Sequence, residues 1–226
     1  MTLILTNDDG IDAPGIRALL KAVEGQKVIV AAPVDHLSGC GHQVTTTKAI
    51  NVHRRSVTEY AIAGTPADCT RIALSHLCPE AKFVLSGINA GGNLGADVYI
   101  SGTVAAVREA AFHGVSGIAV SHYLKGKKNV DWDTAARWTK QVLADLMNRS
   151  PEVGTYWNIN LPHLEPGDPD PEVVFCQPST QPLPVNYRVE EDDYYYVGKY
   201  AQRDRTSGTD VDVCFAGKIA VTRLRL

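Results

Sequence analysis

The sequence predicts an α/β protein: a Rossmann-like, doubly wound and mostly parallel sheet with a C-terminal β-hairpin extension. Three observations carry this. A strand, a helix and a second strand follow one another within the first 33 residues, which implies parallel pairing and a right-handed crossover. The same cadence returns up to about residue 162. Beyond it, proline-rich connections separate short β-like runs with no helical period.

The elements follow in order. Leu3 to Leu5 is a short apolar run, and Pro14 opens a helix with Ile16, Leu19, Leu20 and Val23 at helical spacing. KVIVAAP (27–33) is β-branched and closed by proline, so it reads as a strand. TPADCTRIALSHL (65–77) reads as a helix and KFVLSGIN (82–89) as a buried strand. SGTVAAVREAAFHG (101–114) is a helix of small residues ended by glycine, followed by the strand SGIAVSH (116–122). Asp131 to Arg149, with Ala135, Trp138, Val142 and Leu146 on one stripe, is the longest helix, and YWNINLP (156–162) is another strand. Residues 1–162 are therefore expected to form the α/β core of a single domain. Residues 163–226 are expected to form a β-rich extension suited to oligomerisation, built from VVFC, DYYYVGKY and KIAVTRLRL.

Composition narrows the function classes. Of 226 residues 44% are hydrophobic and 21% charged, enough apolar material for a sizeable core and too little charge for disorder. A net charge of −3 supplies no basic field for a nucleic-acid polymer or an anionic membrane. No apolar run reaches the ~18 residues of a membrane-spanning helix, and no signal segment opens the chain. The five cysteines are scattered, without a C-x-x-C pair. That pattern suits reduced thiols, and a cytoplasmic location is expected.

In an open parallel sheet, ligands gather beyond the carboxyl ends of the strands. The first strand delivers Asn7, Asp8, Asp9 and Gly10 there. The second delivers Asp35, His36, Ser38 and His42, and KFVL delivers Ser86, Asn89 and Asn93 among four glycines. The edge is rich in oxygen donors and poor in sulfur, which suits a hard divalent cation such as Mg²⁺ or Mn²⁺. Three readings of Asp8-Asp9 compete: a turn that caps the helix at Pro14, a carboxylate pair sharing a proton, and a metal site in which a cation cancels the repulsion. The third leads narrowly. Ser101, Gly102 and Thr103 open a helix, where free N–H groups and hydroxyls can either bind an anion or simply cap the helix. The glycine-rich loop matches neither a dinucleotide fingerprint nor a Walker loop. His36 and His42 flank Ser38 as candidate acids, and Tyr194-Tyr195-Tyr196 fits ordinary strand alternation better than base stacking.

Five stretches, LTNDDGIDAPGIRAL, APVDHLSGCGH, AGTPADC, VLSGINAGGNLGADVYISGTVAA and the late GTD, resemble in order and spacing the survival protein SurE family. The resemblance implies a metal-dependent phosphatase that hydrolyses nucleoside 5′- and 3′-monophosphates, with a nucleotide-binding regulator lacking hydrolysis as the alternative. It implies metal ligands at Asp8, Asp9, Ser38 and Asn89, with Asp8 and Asp9 also catalytic. Asn93, Ser101, Gly102 and Thr103 match positions near the substrate phosphate. A homodimer or homotetramer is implied as well. Gly92 stands where many members have proline, which is expected to loosen the loop.

Overall fold

The computed structural model of the chain describes residues 1–126, 129–165 and 167–226. Strand β1 (Thr2–Thr6) is buried along its whole length, because it is flanked on both sides by parallel neighbours, β2 (Lys27–Pro33) and β5 (Phe83–Asn89). Between β1 and β2, helix α1 (Pro14–Ala22) starts on its proline and carries Lys21 in the last turn, where it complements the helix dipole. Two short strands, β3 (Val52–Arg54) and β4 (Glu59–Ile62), extend this side of the sheet and were not evident in the sequence. Helix α2 (Pro66–Ile72) opens on a capping box formed by Thr65 and Asp68 and runs into one π-helical turn, Ala73–Leu77. Helix α3 (Gly102–Phe112), β6 (Ser116–His122), α4 (Trp132–Leu146) and β7 (Thr155–Leu161) complete the expected alternation.

The extension differs from expectation. β8 (Val173–Cys176) and β11 (Ile219–Arg225) both join the main sheet, whose order is β3-β4-β2-β1-β5-β6-β7-β11-β8. β11 runs antiparallel to β7 and parallel to β8. Ile219, Ala220, Val221 and Thr222 of KIAVTRLRL are all buried, as befits a strand covered on both faces inside a sheet. Only β9 (Tyr187–Glu190) and β10 (Asp193–Tyr196) form a separate hairpin, exposed on every residue. A short helix, α5 (Asp210–Phe215), precedes β11 and was not anticipated.

Strand alternation divides the core. Leu3, Leu5, Leu85, Ile118 and Val120 face α1 and α4, meeting Ile16, Leu19, Trp138 and Val142. Ile4 and Val84 face the other way, toward Cys69 and Ala73 of the α2 segment and Ala110 of α3. Gly15 marks the closest helix–strand approach: a Cβ there would lie 1.9 Å from the Ile88 carbonyl oxygen. Gly15→Ala is therefore expected to push α1 off β5 and cost about 1–3 kcal/mol. Thermal unfolding would read this as a lower Tm, and an unchanged Tm would show that the contact yields easily.

None of the five cysteines is paired. No helix of the described residues is long and apolar enough to cross a membrane.

Candidate active site

The carboxyl ends of β1, β2 and β5 lie side by side, and their loops are stitched together by backbone bonds. Ile11 N donates to Pro33 O at 2.8 Å, and Leu37 N donates to the Asp8 carbonyl at 2.7 Å. Asn7 shapes the first turn by donating from Nδ2 to the Gly10 carbonyl at 2.8 Å, and Gly10 takes a φ of +98° that a larger residue resists.

Asp8 is only 3% exposed. Its Oδ1 accepts from Thr103 Oγ1 at 2.5 Å, so the first carboxylate faces the N-terminus of α3. Ser101 caps that helix, its Oγ accepting from Val104 N at 3.1 Å. Gly102 lets the two close up, since a Cβ there would fall 2.8 Å from both Asp8 Cβ and Cys40 Sγ. Burial raises the Asp8 carboxyl above the usual aspartate range; the Thr103 hydroxyl opposes this, and the neighbouring Asp9 adds to it. Asp9 turns the other way, toward the loop after β5. Its Oδ2 accepts from Ala90 N at 3.3 Å, and His36 Nδ1 lies 3.3 Å from its Oδ1. Asn89 donates to the Gly91 carbonyl at 2.9 Å, and Ser38 is exposed one residue beyond the Leu37–Asp8 bond.

The loops that carry the expected residues thus lie side by side. Asn93 is buried, and most of its polar groups are committed to the sheet. Its N donates to Asn160 Oδ1 at 2.8 Å and its Nδ2 to Ser121 Oγ at 2.7 Å. Its carbonyl accepts from Asn158 and Asn160 at 2.9 and 3.0 Å. Its backbone N–H and one of its two Nδ2 protons are spent on the sheet, which fixes the side chain and leaves the second Nδ2 proton as a donor. Asn158 and Asn160 were missed; two asparagines spaced i, i+2 in a buried strand were the available signal. Gly92, expected to loosen the loop, is instead packed close to the Tyr200 hydroxyl, 3.1 Å from where a Cβ would be. His42 is spoken for by Glu109, 2.7 Å from Nε2, a contact that holds the Glu109 carboxyl below its ordinary range.

The donor set suits a hard cation. Asp8 and Asp9 bring two negative charges, with no lysine or arginine paired to either among the described residues. Asn89 and Ser38 would add neutral oxygens. No trio of His, Cys, Asp or Glu placed to hold a metal occurs among the described residues, so the carboxamide and hydroxyl would be needed.

The Survival protein SurE family matches residues 3–182. A protein of Nostoc sp., provisionally named a 5′-nucleotidase, is 67% identical over the full length of both chains. The 5′-nucleotidase SurE of Moorella thermoacetica is 36% identical, covering 100% of this chain and 90% of its own. Among solved structures, the SurE protein of Aquifex aeolicus aligns with a TM-score of 0.88 at 30% identity, over 100% of this chain and 93% of that one. With the motifs, the sheet edge and these relatives in agreement, the chain belongs to the Survival protein SurE family.

Proposed function

We propose that the chain is a nucleotidase: a phosphomonoesterase that uses a divalent cation, Mg²⁺ or Mn²⁺, to release inorganic phosphate from nucleoside 5′- and 3′-monophosphates. The observation that carries this is the buried Asp8 carboxylate, set between the α3 N-terminus and Asp9 without a basic partner among the described residues. The names of the relatives add support for the 5′ activity.

Asp8, Asp9, Asn89 and Ser38 would hold the cation. Bound there, it would supply Lewis acidity toward the phosphate and lower the pKa of water. The chain's own residues supply the rest. The α3 N-terminus, with the Ser101 hydroxyl and the Gly102 N–H, offers donors and a favourable dipole to non-bridging phosphate oxygens, while the Thr103 hydroxyl, beside them, orients Asp8. Asp9, half committed to Ala90 N, has an oxygen able to accept a proton from attacking water. His36, beside Asp9 and well exposed, can shuttle that proton or protonate the leaving oxygen. Attack on phosphorus by Asp8 itself, the lesser route, would use Oδ2, since Oδ1 accepts from Thr103. A homodimer or homotetramer fits the exposed tyrosines of the β9–β10 hairpin, since an isolated two-stranded hairpin is marginal in water.

The test is phosphate release from 5′-AMP and 3′-AMP with Mg²⁺, with Mn²⁺ and with EDTA. Release that requires the cation is expected for both esters. Tight nucleotide binding without release would instead favour the non-hydrolysing regulator.

A further inference from the structure

We propose that the cavity at the amino end of β7 is a second ligand site, built for an oxyanion carried on a flat ring. It stands apart from the reaction centre, at the other end of the strands. β5, β6 and β7 run parallel, and the cavity meets β7 at Thr155 and Trp157. Asn160, near the far end of the same strand, reaches Asn93 in the loop after β5. The cavity measures about 730 Å³, within the range of small-molecule sites.

Arginine supplies its charge. Arg149, Arg223 and Arg225 line the cavity, with Glu152 as the one carboxylate among the described lining residues. Glu152 Oε2 lies 2.8 Å from Arg223 Nη1, and its Oε1 lies 3.1 Å from Arg225 Nη2. One carboxylate is thus divided between two guanidiniums, and each keeps N–H donors for a further oxyanion. Arg149 pairs with Asp145, one turn earlier in the chain, at 2.8 Å. All three pairs are exposed, and such pairs hold weakly against a competing anion.

The rings supply the second feature. The Arg149 guanidinium lies 4.3 Å from the Phe175 ring centre and 5.8 Å from that of Trp157, and Arg223 lies 5.8 Å from Trp157. The two rings meet edge to face, 5.9 Å apart. Such stacking sets the guanidinium planes before a ligand arrives, which lowers the ordering cost of binding. The turn that carries Glu152 is held as well, because Thr155 N and Oγ1 donate to the Glu152 carbonyl at 3.1 and 2.8 Å. Phe175 keeps 45% of its surface exposed, so a ligand's ring can add to the stack. An aliphatic anion would leave that ring in water, and a neutral ring would leave the guanidinium donors unused. The lining therefore fits a molecule with both features.

The test follows the indole N–H signals of the three tryptophans by heteronuclear NMR in the Mg²⁺-loaded protein. Phenylphosphonate and benzoate are the probes; methylphosphonate and benzyl alcohol are the ringless and uncharged controls. The Trp157 signal is expected to shift with at least one probe, while Trp132 and Trp138, both on α4, stay in place. Binding of either probe supports the site, and the tighter one identifies the oxyanion as phosphonate or carboxylate. Each control is expected to bind about 5-fold or more weakly than the tighter probe. Arg223→Gln and Phe175→Ala, both at exposed positions, are each expected to weaken that probe about 5–10-fold. An unmoved Trp157 signal, controls that bind as tightly as the probes, or full affinity in either variant would overturn the site. Phosphate release from 5′-AMP is expected to be unchanged in both variants. If the wild type releases none, the phosphomonoesterase reading fails, and the titration still decides the second site.

Discussion

Asp8→Asn is expected to lower kcat/KM for 5′-AMP by about 10²–10⁴-fold while the protein stays folded. The side chain is nearly isosteric and can still accept from Thr103 Oγ1, so the loop geometry survives. What is lost is one of two negative charges that would hold the cation. Stability supplies an independent readout. Burial raises the folded carboxyl above its ordinary 3.8, with Thr103 opposing and Asp9 adding to the shift. Between 3.8 and the raised folded value, the folded state binds more protons than the unfolded one. Wild-type stability therefore falls as pH rises through that window, then stays at the lower level above it. The neutral carboxamide of the variant carries no such penalty. In EDTA-treated protein at neutral pH, Asp8→Asn is expected to melt at or above the wild-type Tm, and the difference should close toward acid. An active, cation-independent Asp8→Asn protein would end the metal hypothesis. An inactive variant that melts well below wild type would show that the loss came from misfolding.

The outcome for Asp8 is readable from sequence because its logic is local: an apolar strand ends, charges follow, and the doubly wound sheet places that end beside two others. The position of Asn89 and Ser38 at strand ends of the same sheet edge was legible by the same logic, and the helix start at Ser101 to Thr103 because it has its own signature. The supports of the site were not legible, because they act across long stretches of chain. Asn93 meets Ser121 and Asn160, and Gly95 N donates to Asp210 at 2.7 Å, 115 residues away in sequence. No period or spacing connects such pairs. Asp210 gives the late GTD stretch a physical purpose: its two oxygens accept from Gly95 N and Ser179 N and tie the C-terminal segment to the loop after β5. The placement of β11 escaped because a strand next to its sequence neighbours and a strand returning to the core look alike until register is known.

The largest stability effect is expected at Arg203, a residue outside the family match to residues 3–182. Its side chain is 1% exposed, and Nη1 donates to Asp97 Oδ2 at 2.7 Å while Nη2 donates to the Leu94 carbonyl at 3.0 Å. The same Asp97 oxygen accepts from the Tyr200 hydroxyl at 2.6 Å and from Leu94 N at 3.1 Å, and the guanidinium lies 4.9 Å from the Tyr200 ring centre. Burial and the adjacent Asp97 push the Tyr200 phenol up, so it stays a donor. Removing the guanidinium leaves the Asp97 carboxylate buried without a cation, a loss of about 3–5 kcal/mol. For a chain of this length each kcal/mol moves Tm by about 2–4 °C. Arg203→Met is therefore expected to lower Tm by roughly 10 °C. Its partner substitution tests the cause. Asp97→Leu combined with Arg203→Met removes both charges, and the double variant is expected to recover much of the lost Tm, because a buried pair costs as much desolvation as it returns in attraction. The Asp97 carbonyl also accepts from Ile100 N and Ser101 N, both at 3.1 Å, so the same cluster leads into the cap of α3. Arg203→Met should accordingly cut phosphate release at temperatures well below its Tm, through KM as the phosphate cradle loosens. If Tm falls by less than about 2 °C, or if the double variant is worse than the single, packing rather than charge pairing holds this loop.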